Sequence, residues 1–93
     1  MEKGIAYFPD AVTSRGLKHL RELQREVDSG NRSIMFYLVQ RMDAREFRPA
    51  YHIDPDYGEE LRKAFNKGVE IMVYDVMLDC EGISLRRGLP FSL

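Results

Sequence analysis

Ile5, Ala6, Tyr7 and Phe8 form a short apolar run that Pro9-Asp10 stops, the pattern of a brief strand. Leu17, Leu20, Leu23 and Val27 then recur at helical spacing, with Lys18, Arg21, Glu22, Arg25 and Glu26 mostly outside that stripe. Thr13 suits the N-cap and Gly30 the position beyond the C-terminus, so the spacing predicts a helix over 14–29. Ile34-Met35-Phe36-Tyr37-Leu38-Val39 is six apolar residues without alternation, which predicts a strand buried on both faces. From Arg41 to Ile53 neither period holds, and the stretch reads as a long loop of the kind that borders a site. Asp54-Pro55-Asp56 is a helix start: a capping Asp, Pro at the first helical position, then acid near the positive dipole end. Tyr57, Leu61, Ala64 and Phe65 supply the buried stripe of that helix and Gly68 ends it. Val69 to Leu78 reads as a strand, apolar apart from Glu70 and Asp75. Asp79-Cys80-Glu81-Gly82 turns the chain into Ile83-Ser84-Leu85-Arg86, which alternates as an edge strand should, with Arg86 and Arg87 blocking edge pairing.

The predicted order is β-α-β-α-β-β, an α/β fold. Right-handed crossovers leave two arrangements. Strands that keep advancing in one direction put both helices on one face and leave the other bare; a reversal of order puts them on opposite faces. The unalternated Ile34–Val39 strand demands cover on both faces, from such a reversal, a partner or a further segment.

Composition narrows the function. A length of 93 residues makes one domain or part of one, and a net charge of −1 argues against wrapping nucleic acid through bulk charge. Residues 1–50 carry nine Lys/Arg against seven Asp/Glu, and residues 51–93 five against eight, so any nucleic-acid face falls to the N-terminal half. The single cysteine, Cys80, excludes an internal disulfide and fits a reducing cytoplasm. No apolar run approaches the ~20 residues of a membrane span, and no secretory leader pattern follows Met1. A cytoplasmic protein without membrane contact is expected.

The block Tyr7-Phe8-Pro9-Asp10-Ala11-Val12-Thr13-Ser14-Arg15-Gly16, running into Leu17-Lys18-His19-Leu20-Arg21-Glu22-Leu23, resembles the sugar fermentation stimulation protein A family. The likeness continues through Phe36–Arg41, Phe47–Ala50, Ile53–Tyr57 and Gly68–Ile71, in order and over nearly the whole chain. The resemblance implies a partial restriction-endonuclease-like α/β/α sandwich, the C-terminal part of a protein whose N-terminal domain is OB-like. In that fold an acidic residue and a Glu-x-Lys pair on adjacent strands hold a divalent metal beside the scissile phosphate. The family pattern puts those residues before the helix that carries R-G-x-K-H-L. Only twelve residues precede Thr13, no E-x-K element is among them, and Met1-Glu2-Lys3-Gly4 falls where the following hairpin belongs. No catalytic residue, metal ligand or cofactor is therefore expected in this chain; Mg or Mn would belong to a full-length form. Pro9-Asp10 is not the start of a PD-(D/E)xK signature, because it follows the expected metal strand, and it reads as a turn with Asp10 as a local cap.

Arg15, Lys18 and His19 stand in the first turns of a helix, where cations oppose the dipole. A phosphate there would offset the cost, with Arg15 as a fork-like donor; the plain reading is solvated surface. Gln40 and Arg41 end a strand at the carboxyl edge where α/β sites gather; the plain reading is a polar strand end. His19 and His52 make no zinc motif, Cys80 has no activating neighbour, and the methionines and aromatics are most simply core.

By resemblance, the expected function is DNA binding linked to regulation of maltose-type sugar metabolism, with Arg15, Lys18, His19, Gln40 and Arg41 as contacts. The alternatives are a metal-dependent nuclease whose catalytic residues lie upstream, and a non-enzymatic module that pairs with a second copy of itself or with an upstream domain.

Overall fold

The computed structural model describes residues 3–93, the side chain of Leu78 excepted. The elements are β1 (Ile5–Phe8), α1 (Ser14–Asp28), β2 (Ile34–Val39), β3 (Glu46–Pro49), α2 (Pro55–Lys67), β4 (Glu70–Asp79) and β5 (Gly82–Gly88). The fold is α/β, and its order β-α-β-β-α-β-β adds one strand, β3, inside the segment read as a loop. Met1 and Glu2 of the expected hairpin lie outside the described residues, while Lys3 and Gly4 turn the chain with φ of +51° and +78°.

Both helix starts form as their residues dictate. The Thr13 hydroxyl accepts from the Gly16 amide at 3.0 Å. Asp54 caps α2, its Oδ1 accepting from the Tyr57 amide at 3.1 Å, with Pro55 in the first turn. The other Asp54 oxygen reaches across to accept from the Thr13 amide at 3.0 Å, so one buried carboxylate holds the starts of both helices together. This close approach needs Gly16: a Cβ there would stand 3.0 Å from the Tyr57 ring and 2.9 Å from the Thr13 methyl. Farther along, Glu60 accepts from Gln24 Nε2 at 2.7 Å and Arg21 Nε at 3.1 Å, a polar latch between the helices. Burial pushes the Glu60 carboxyl up, but these hydrogen bonds outweigh it and the net direction is down.

The strands form two sheets. β1 pairs in parallel with β3; β2 pairs in parallel with β4, and β4 antiparallel with β5. The C-terminal segment runs along β3, where Phe47 donates to the Pro90 carbonyl at 2.9 Å and accepts from the Ser92 amide at 3.1 Å. Leu20, Tyr57 and Leu61 of the helices pack against Tyr37, Val39, Ile71 and Val73 of the sheet, forming the core.

The opposite face of the β2-β4-β5 sheet is open. Ile34, Phe36 and Leu38 are 39%, 43% and 52% exposed, so β2 is covered on one face where its sequence predicted two. The reason is topological: α1 and α2 both pack on the Tyr37 and Val39 face, although the chain leaves β2 to pair β3 with β1 before it returns to β4. Met72 joins the open face, and the Phe36 and Tyr74 rings stack there with centroids 5.6 Å apart. These aromatics and methionines are therefore not core. Arg86 and Arg87 do not simply guard an edge either, since both turn onto Asp75 of the neighbouring strand.

Candidate functional site

Among the described residues the two sheets share no strand pairing at their seam, and aromatic rings fill its depth. Phe8 of β1 lies 5.4 Å from both Tyr37 and Tyr57, and Tyr37 lies 4.5 Å from Phe47 of β3, centroid to centroid. The Tyr37 and Tyr57 hydroxyls share a hydrogen bond within this cluster. Burial, then the neighbouring hydroxyl, pushes Tyr37 far above the ordinary phenol range; burial also raises Tyr57. Both stay protonated at physiological pH and serve as a rigid floor.

Above that floor, where β1 and β2 end, a cleft of about 570 Å³ opens. Asp10, Gln40, Arg41 and His52 bring polar groups to it, and Tyr7, whose ring meets His52 edge-on at 5.1 Å, lines one wall. Ligands of open α/β sheets gather at this carboxyl edge, because the strand ends release the chain into loops there. Gln40 and Arg41 stand at the cleft as their position at the end of β2 predicts. Asp10 also reaches it, while the cap of α1 is Thr13.

Arg15, Lys18 and His19 do not line this cleft. They are exposed on α1, and among the described residues none of the three joins an ion pair. The structure thus divides the five sequence candidates into a cleft pair and a helix-surface trio. Asp10 and His52 were missed as site residues. For His52 the signal was the length of the aperiodic 41–53 segment; for Asp10 it was adjacency to a strand end.

Arg41 is engaged. Its Nε and Nη2 donate to Asp43 Oδ1 and Oδ2, each at 3.1 Å. The hydrogen bond from Arg41 holds the Asp43 carboxyl below the usual range. Both side chains are more than half exposed, so an incoming anion competes with a weak, solvated pair.

The donor set does not suit a hard divalent cation. Such an ion takes six or more oxygens, several from carboxylates or from a bound phosphate. The cleft offers Asp10 alone, and among the described residues no group of three or more His, Cys, Asp or Glu converges. What this arrangement can do is recognise: a guanidinium for phosphate, an amide with both donor and acceptor, and an imidazole, over an apolar floor.

Residues 1–82 match the family profile described as SfsA: Sugar fermentation stimulation protein RE domain. A sugar fermentation stimulation protein homolog of Nitrosococcus oceani is 52% identical over 91 residues, 97% of this chain and 39% of that protein. The homolog of Shewanella sediminis is 45% identical over the whole chain and 36% of its own length. A solved structure of Pyrococcus furiosus SfsA, in complex with Ca2+, superposes with a TM-score of 0.92 at 28% identity, covering 100% of this chain and 41% of that one. The chain thus spans about two fifths of the length of the relatives it matches. It belongs to the sugar fermentation stimulation protein family.

Proposed function

We propose that this chain contributes the nucleic-acid-facing surface of a cytoplasmic DNA-binding protein that acts in the regulation of maltose-type sugar metabolism. The observation that supports this reading is the cleft at the carboxyl edge, where Gln40 and Arg41 stand together over an apolar floor. A guanidinium forks onto phosphate oxygens, and a carboxamide pairs with an adenine edge or a sugar hydroxyl. Arg15, Lys18 and His19 on α1 extend the surface along the backbone of a bound duplex. With a net charge of −1, binding rests on these local cations and not on the whole molecule's field.

Fluorescence anisotropy with a labelled mixed-sequence duplex tests the proposal. Affinity should fall steeply with salt, and Arg41→Ala and Arg15→Ala should each lower affinity and reduce the log–log salt slope by about 0.9. Absence of binding at low salt refutes the reading.

The Pyrococcus furiosus relative, solved with Ca2+, supports a second reading, a metal-dependent nuclease. Its ligands would come from sequence beyond this cleft, because the described residues do not bring a metal-binding group of carboxylates together. A full-length relative should then nick DNA or RNA with Mg2+ or Mn2+; inactivity across metals and substrates removes it. The open face of Ile34, Phe36 and Leu38 supports self-association or docking of an upstream domain as a non-enzymatic role. Light scattering that shows a monomer at high concentration removes the self-association arm. Among the described residues no helix is long and apolar enough to cross a membrane.

A further inference from the structure

Asp75 is fully buried, yet it is a carboxylate in the middle of β4. Its partners come from a single irregularity in the neighbouring strand. Along β4 and β5, Asp75 pairs with Arg87 and Val76 with Leu85, so Arg86 is an extra residue bulged out of register. Consecutive strand residues ordinarily point to opposite faces; a bulge re-aims one of them. Here it lets both arginines reach the same carboxylate. Arg87 donates through its backbone N–H to Oδ1 at 3.0 Å and through Nε to Oδ2 at 3.1 Å, and Arg86 donates through Nη2 to Oδ2. Burial raises the Asp75 carboxyl, but the hydrogen bonds from Arg86 and Arg87 outweigh it, leaving it below the usual range.

The guanidiniums do not stop at Asp75. Arg86 Nη2 also donates to the Met42 carbonyl at 2.6 Å, and Arg87 Nη2 donates to the Ala44 carbonyl at 2.6 Å. The two carbonyls flank Asp43, which in turn holds the Arg41 guanidinium. A buried charge in the sheet is thus connected, through two guanidiniums, to both sides of the residue that orients the arginine at the cleft.

We propose that Arg86 and Arg87 are positioning residues: anchored by Asp75, they fix the 42–44 loop and thereby set where Arg41 stands at the cleft. The assignment of a nucleic acid to that cleft rests on the reading above; the clamp itself does not. A planar fork is needed at Arg87, where Nε serves the carboxylate and Nη2 a backbone carbonyl, which a lysine ammonium does less well; Arg86 reaches both of its partners through Nη2.

Amide hydrogen exchange and duplex binding test the two halves separately. In the R86Q/R87Q double variant, the Arg45 and Glu46 amides, which donate to the Gly4 carbonyl at 2.6 and 3.3 Å beside the clamped loop, should exchange at least about tenfold faster while those of α1 and α2 keep their protection. Because this variant strands Asp75 without partners, D75N/R86Q/R87Q is run beside it and should show the same local release. Unchanged exchange at Arg45 and Glu46 in both variants overturns the proposal. In anisotropy, R86Q/R87Q should weaken binding to the duplex about as much as R41A does. Adding R41A to it should cost little more, and R86K/R87K should restore little. Additive losses, a salt slope that falls once for each arginine removed, or rescue by lysine would make them direct phosphate contacts and overturn the positioning role. If the parent chain binds no duplex, the nucleic-acid reading fails and the clamp stands or falls on exchange.

Discussion

Replacing Asp54 by Ala removes two hydrogen bonds made by one side chain, and their sizes are separable. The bond from the Tyr57 amide is an N-cap, worth about 1 kcal/mol and up to about 2. The bond from the Thr13 amide links residues 41 positions apart, and its loss leaves a partly buried N–H unsatisfied, a cost of about 1–3 kcal/mol. Together they predict a loss of roughly 3 kcal/mol. For a domain of 93 residues, at about 4–8 °C per kcal/mol, that is a fall in Tm of roughly 12–24 °C. Asp54→Ser keeps a capping oxygen for Tyr57 but has no second oxygen for Thr13. It should recover the cap alone, about a third of the loss. Urea melts followed by far-UV circular dichroism at neutral pH give both values, provided the m-value stays constant. A cycle with Thr13→Ala should be non-additive by about 0.5 kcal/mol or more, because Asp54 fixes the backbone of the residue that caps α1. A serine variant as stable as the parent, or an alanine variant losing less than about 1 kcal/mol, refutes the claim that this carboxylate joins the helix starts.

Gly58→Ala should destabilise by about 1–2 kcal/mol, although alanine is the better helix former by about 1. The new Cβ would stand 2.5 Å from the Tyr51 ring, which Arg62 covers from 5.5 Å; a neutral or stabilising effect in a thermal melt contradicts this packing. Asp75 and Glu60 both have depressed carboxyls, so their contribution is complete above the unfolded values of about 3.9 and 4.3 and is lost as pH falls through the folded ones. D75N/E60Q should therefore be less stable than the parent at neutral pH and converge on it in strong acid; parallel Tm curves would sink the idea. Asp43→Asn removes the carboxylate that orients Arg41 and should weaken duplex binding by no more than about fivefold, the ceiling for an exposed ion pair, as read by anisotropy at low salt; tighter binding would show that Asp43 competes for Arg41 more than it orients it.

The helices were legible because their boundaries rest on local chemistry: Thr13, Asp54-Pro55 and the glycines act on amides within a turn or so of themselves. β3 was not. Glu46-Phe47-Arg48-Pro49 is four residues long and ends in Pro, and its pairing with Ile5–Phe8 is a tertiary event no window over 41–53 contains. The apolar run of β2 predicts cover on both faces and the structure covers one, because a pattern reports what a face needs and not what is near it. Gln40 and Arg41 were readable as a strand end, whereas the company of Asp10 and His52 depends on how β1 and β3 dock beside β2. Asp75 stood out as a polar residue in an apolar run, but its meaning required the bulge at Arg86.

The pairing pattern described above also dictates an order of events in time. Among the described residues only β4 and β5 are paired strands joined by a tight turn; β1 must find β3, and β2 must find β4, across intervals of about forty residues. A loop of that length must lose its freedom before any parallel pair rewards it, whereas a hairpin closes in microseconds. Refolding should therefore begin at the β4-β5 hairpin and the two helices, which need only their neighbours. It should finish with the parallel pairs, and the cleft, which lies where the β1-β3 pair docks beside β2, is among the last features of the molecule to exist.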